Sequence, residues 1–173
     1  MTAAGSETRG TTWWRVGLVG GAIALGCLVG GVLWCQRGLA EARRLAKHGL
    51  WTEARAAGGR YLLLHPRDAE ANLLVAEALA KDETAPLAER VVEAVGRLRS
   101  VPDGDAGAAE ARKAEARVLL FLARDAFAAE KALENALALS PDDVEANYLG
   151  WRILDLTRRN EEAEPLFRKV LAG

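Results

Sequence analysis

The chain has 173 residues, of which 50% are apolar, 27% charged and 6% aromatic, with 23 basic against 24 acidic side chains. This hydrophobicity excludes a disordered chain, and a formal charge of −1 argues against a nucleic-acid binder that works by neutralising phosphates. Two histidines, two cysteines and three serines (Ser6, Ser100, Ser140) leave little from which to build a nucleophile, a general base or a metal site, so neither an enzyme nor a bound cofactor is expected.

A short polar tail, 1–13, comes first. From Val16 to Trp34 there is no charge, no amide and no hydroxyl: 13 residues are apolar and six are glycine. As a helix these 19 residues are about 28 Å long, close to the hydrocarbon thickness of a bilayer. Trp13 and Trp14 stand at one end and Trp34 at the other, as aromatic residues do at membrane interfaces, and Arg15 and Arg37 close both ends with charge. The expectation is a single membrane-spanning helix over 14–35. A cleaved signal peptide is the competing reading, but the run exceeds a usual h-region and has no small-residue cleavage site near Trp34. Gly17 and Gly21, and Ala22, Gly26 and Gly30, recur every four residues, a spacing that lets two membrane helices approach closely. A homodimer through this helix is one expectation from that spacing.

Charge then divides the rest. Residues 35–67 carry seven basic and two acidic side chains, and residues 68–173 carry 14 basic and 21 acidic ones. The basic part adjoins the apolar run, where it suits anionic headgroups. Orientation stays open. A short tail with arginine before the span resembles a signal anchor with the following domain outside the cytoplasm, and the reading leans that way. The basic flank after the span argues for the cytoplasmic side.

The remaining helices read as pairs: 36–48 and 51–64, 69–81 and 85–99, 108–123 and 126–139, 143–157 and 160–172. No segment alternates as a strand would. The segment His65-Pro66-Arg67-Asp68-Ala69-Glu70-Ala71-Asn72 recurs 75 residues later as Ser140-Pro141-Asp142-Asp143-Val144-Glu145-Ala146-Asn147. Each copy reads as a helix end, a proline turn, an aspartate cap and a new helix. Ala54, Ala88, Ala129 and Ala163 then follow at spacings of 34, 41 and 34, with the extra seven residues assigned to the loop around Val101–Gly107. Val92, Leu133 and Phe167 stand four residues after the last three of these alanines, and Val95, Ala136 and Val170 three further on, which marks one helical face.

These features resemble the tetratricopeptide repeat family, whose 34-residue helix–turn–helix units carry small residues where two helices touch and a closing proline. Gly49, Ala54, Leu62 and Pro66 match the turn glycine, small contact, apolar contact and proline of a first unit; Pro141, Ala163 and Phe167 fit the closing turn of the third unit and helix B of the fourth. The resemblance covers about 36–172 and implies a solenoid of about four units, domain 36–173; after the membrane helix expected from the apolar run, this makes an all-α chain. Two departures stand out. Gly58 and Gly59 replace a bulky residue, which implies a frayed helix or a close neighbour. Trp151 falls near a position for a small residue, which implies a one-residue shift of that helix.

In this family the first helix of each unit lines a concave groove that takes a peptide or a partner helix. By position, Glu70, Leu73 and Glu77 of the second unit and Tyr148, Arg152 and Asp155 of the fourth are the candidates to face it. The acidic distal part favours a basic partner segment. Leu166, Phe167, Val170 and Leu171 form an apolar stripe on the last helix, which either folds back on its own unit or docks a partner or a second copy. The expected function is a membrane-anchored scaffold for protein–protein interaction. The alternatives are a structural accessory subunit of a membrane or envelope assembly, or the N-terminal piece of a longer repeat protein.

Overall fold

The structure is a computed structural model and describes residues 30–172. The tail 1–13 and most of the apolar run, including Gly17, Gly21, Ala22 and Gly26, lie outside these residues. Among the described residues there are eight α-helices and no strand: α1 (30–47), α2 (Trp51–Leu62), α3 (Ala69–Lys81), α4 (Leu87–Arg99), α5 (Ala108–Arg117), α6 (Ala126–Leu139), α7 (Val144–Leu156) and α8 (Asn160–Ala172). A π-helical turn, Val118–Ala123, continues α5 to the next connection. Among the described helices none is long and apolar enough to cross a membrane.

Consecutive helices pack as antiparallel pairs. Beyond these neighbours, α3 touches α5 and α5 touches α7, so the first helices of successive units stack into one layer of a solenoid. Leu79, Leu98, Ile153, Val75 and Val101 are the largest side chains wholly inside. The helix starts follow local chemistry. Asp68 and Asp143 each accept a hydrogen bond at 2.8 Å from the backbone N–H three residues on, Ala71 and Ala146, and Asp125 does the same for Ala128 at 2.9 Å. Each carboxylate thereby satisfies an otherwise free donor of the first turn.

Both departures have a packing reason. At Gly58 a Cβ would stand 2.6 Å from Cγ2 of Val75, so α2 is bare where α3 closes on it; Gly59 has open space instead. At Gly150 a Cβ would stand 2.8 Å from Leu166 and 3.2 Å from Leu133. The small position of α7 is therefore Gly150. Trp151, one residue on, packs its ring 5.6 Å from Tyr148 and 5.3 Å from Phe167.

Two expectations are corrected. First, α1 runs without a break through 35–36, because no proline stops it there and Gly38 lies tight against α2. Second, Ala88 is exposed and Val92 is 73% exposed; the contact row of α4 is Val91, Ala94, Val95 and Leu98. With Val91 in that row the spacings become 37, 38 and 34, so the extra residues are shared between the α3–α4 connection (82–86) and the α4–α5 connection (100–107). Pro165 lies inside α8, where its missing N–H leaves one helical acceptor unpaired.

Candidate functional site: the groove between α3 and α5

The first helices of successive units are tied together by ion pairs at two of their three junctions. Arg43 of α1 bonds Glu70 of α3. Lys113 of α5 meets Asp143 at 3.0 Å and Glu145 at 3.1 Å at the start of α7, and Arg117 also reaches Glu145 at 3.1 Å. Between α3 and α5 there is no ion pair among the described residues; a groove of about 510 Å³ opens there instead.

Its walls have different origins. On the α3 side stand Glu70, Leu73, Leu74, Glu77, Ala80 and Lys81, which helical spacing places on one face. On the other side stand Glu110, Ala114 and Arg117 of α5, and Val118, Phe121 and Leu122 of the π-helical turn; Leu98 of α4 contributes from below. The groove is mainly apolar and its rim is charged. Glu77 is held by Lys81 at 2.5 Å and Glu110 by Lys113 at 2.7 Å. Glu70 is bonded by Arg43 as well, so each of the three glutamates has a cation beside it and Arg117 adds another; the rim carries both signs.

The π-helical turn shapes the second wall. It ends at Arg124, whose φ of 57° is left-handed, and the N–H of Asp125 bonds back to the carbonyl of Leu119 at 3.0 Å. Phe121 on this turn is 55% exposed and lines the groove. Single π-helical turns of this kind are frequent at functional sites.

Of the residues expected to face a groove, Glu70, Leu73 and Glu77 line this one. Tyr148, Arg152 and Asp155 lie on α7 and are not part of its wall; Tyr148 and Asp155 are exposed and Arg152 is half-buried. Phe121, Leu122 and Val118 are groove residues that sequence spacing did not single out. Their signal was the uninterrupted apolar run Val118–Ala123, too long for a helix face touching one neighbour.

Of the residues expected to pack the repeat, Ala54, Ala129 and Ala163 are buried, Phe167 is partly exposed against Trp151, and Ala88 is exposed, as above. Gly49 occupies the α1–α2 turn with φ 74°, which favours glycine. Pro66 and Pro141 sit exposed in their turns. Their carbonyls accept hydrogen bonds from Nδ2 of Asn72 and Asn147 at 3.0 and 3.1 Å. Arg112 of α5 serves the longer α4–α5 connection in the same way: its guanidinium donates to the carbonyls of Leu98 and Val101 and to the carboxylate of Asp103. Gly30 is exposed at the start of the described part of α1.

No protein-family profile and no curated protein sequence matches the chain. Solved structures do. A crystal structure of MamA superposes with a TM-score of 0.67 at 17% identity, over 80% of this chain and 77% of that one. A second MamA structure gives 0.66 at 17% identity, over 80% of this chain and 72% of that one. MamA is a TPR-like all-helical protein, and the likeness shows the fold alone: an all-helical, TPR-type repeat fold.

Proposed function

We propose that the chain is a scaffold, anchored in a bilayer by the apolar run Val16–Trp34, that holds a protein partner in the groove between α3 and α5. The groove carries the reading. It has an apolar interior, a charged rim, and Phe121 turned into it by an irregular backbone turn. A partner helix with an apolar stripe, or an extended segment with charged flanks, would complement it. The mechanism is non-covalent: the repeat supplies the surface and the anchor supplies the location.

Two experiments test this reading. Alkaline extraction with protease protection of the distal domain tests the anchor and gives the side of the membrane. A photo-crosslinking residue in place of Phe121 should capture a partner that the same probe at Phe127, exposed on α6, does not, and Phe121→Glu should abolish co-purification of that partner. Equal capture from both positions overturns the groove assignment. The lifetime of the complex then separates two roles. Exchange with added labelled partner marks a recruiter, and a partner that never exchanges marks a permanent accessory subunit.

A further inference from the structure

We infer that the α2–α3 turn, with Leu63 and Leu64 at its tip, is a second membrane contact that lies on an anionic lipid surface beside the anchor. The inference rests on the anchor reading above and adds to it a face of the folded domain.

Three observations carry it. The hairpin geometry brings the turn to the end of the apolar run. α1 and α2 are antiparallel and joined by the short turn 48–50, and the guanidinium carbon of Arg60 lies 4.4 Å from the ring centre of Trp34, the last residue of that run. The pairing is tight: a Cβ on Gly38 would stand 2.5 Å from the carbonyl of Ala57 and 3.2 Å from the amide of Tyr61. The last turn of α2 is therefore fixed against α1 at the level where the anchor ends, and Leu63 comes one helical turn after Arg60.

The surface at that end is apolar and basic. Leu63 is 76% exposed and Leu64 42%, beside Leu33 and Trp34, which are 51% and 58% exposed. Four large apolar side chains at one end of a hairpin form a patch rather than scattered exposure. Arg37 and Arg67 are exposed around it. The acids nearby are engaged: Glu41 is paired with Arg60 at 2.6 Å, and Asp68 caps α3. Tryptophan and arginine are residues that settle at a bilayer interface, the arginine with its stem in apolar contact and its head toward phosphate. The charge of the patch is complementary to anionic headgroups.

Rigidity makes the contact consequential. α1 is continuous from residue 30 into the repeat, so the turn and the end of the anchor form one platform. Seating Leu63 and Leu64 on the bilayer would fix the tilt of the solenoid and the direction in which its groove opens.

The test uses the full chain, with Cys27 and Cys35 replaced by alanine, in vesicles of phosphatidylcholine and phosphatidylglycerol. A single cysteine at Leu63 carries an environment-sensitive fluorophore; the control carries it at Leu50, in the turn at the other end of the same hairpin. In vesicles that co-float with the protein, lipids nitroxide-labelled near the headgroup should quench the fluorophore at 63 strongly and the one at 50 weakly, with a blue shift only at 63. Equal quenching at both positions in co-floating vesicles overturns the contact and leaves the anchor standing. A chain that does not co-float overturns both. A fluorophore at 63 that is shielded from lipid but self-quenches as protein density rises assigns the patch to a second copy, and also overturns the contact.

Discussion

Gly58 and Val75 meet where α2 crosses α3: a Cβ on the glycine would lie 2.6 Å from Cγ2 of the valine, which is itself only 1% exposed. Val75 is β-branched and enclosed, so it has no rotamer to retreat into. Gly58→Ala should therefore destabilise the fold by about 1–3 kcal/mol through overpacking, although alanine is by itself the better helix former by about 1 kcal/mol. Gly59, with open space around it, should show the opposite sign and gain about 0.5–1 kcal/mol as alanine. Thermal unfolding of the two variants, followed by circular dichroism, checks the contrast; the same sign for both would refute the packing argument.

A second prediction concerns three related turns. Gly49 and Arg124 stand 75 residues apart, and Arg124 and Arg158 stand 34 apart, so the three hold one position in the repeat. All three have positive φ: 74°, 57° and 59°. The closing bond is also shared. Leu50 N–H reaches Leu45 at 3.1 Å and Arg159 N–H reaches Leu154 at 2.8 Å, whereas after the π-helical turn Asp125 N–H reaches one residue further back, to Leu119. Arginine is strained in this region and glycine is not. Arg158→Gly and Arg124→Gly should each raise stability by about 0.5–1 kcal/mol, and Gly49→Ala should lower it by about 1 kcal/mol. Denaturant midpoints measure all three.

Asn72 and Asn147 give a third. Each is buried, and each donates from one amide nitrogen to two carbonyls, those of Pro66 and Asp68 or of Pro141 and Asp143, at 2.8–3.1 Å. Alanine at either site leaves the turn carbonyls without these donors. A loss of about 1–3 kcal/mol is expected from each variant, and the losses should add, because the two turns share no partner. A double variant measured against the singles by equilibrium unfolding tests both points.

The parts of this fold that were legible in the sequence are those set by short-range chemistry. Asp68 and Asp143 announce helix starts because a capping carboxylate needs only its own first turn, and Pro66 and Pro141 mark the ends before them. Ala54, Ala129 and Ala163 were readable as a buried row because the turn before each helix is short. Ala88 was not. In Leu87–Arg99 the register depends on how many residues the 82–86 and 100–107 connections absorb, and no local preference distinguishes Ala88 from Val91 as the inward residue. The groove was half legible for a similar reason. Glu70, Leu73 and Glu77 follow from regular helical spacing, whereas Phe121 enters through a backbone irregularity that spacing cannot anticipate.

The ion cluster at the α5–α7 junction gives the last prediction. Lys113 is nearly buried, with its side chain 7% exposed, and its ammonium meets Glu110 at 2.7 Å, Asp143 at 3.0 Å and Glu145 at 3.1 Å. Burial alone would lower the affinity of this lysine for its proton, but the three carboxylates outweigh it and the pKa is raised above the ordinary 10.5. For Asp143 burial favours the neutral acid, and the N–H of Ala146 together with Lys113 favours the carboxylate more strongly, so its pKa falls below the ordinary 3.8. The signs follow by linkage. Stability from Lys113 is complete below pH 10.5 and is lost as pH rises through the folded value; stability from Asp143 is complete above pH 3.8 and is lost as pH falls through the folded value. Lys113→Met removes the cation and leaves three carboxylates facing one another, two of them half-exposed. It should cost about 1–3 kcal/mol at neutral pH, less than removing one member of a fully buried pair. The variant should also lose stability at a higher pH than the parent on the acid side, because Asp143 then holds its proton more readily. Unfolding free energies measured across the acid range for both proteins check this: a uniform loss with an unmoved acid limb would mean that Lys113 contributes packing and not charge.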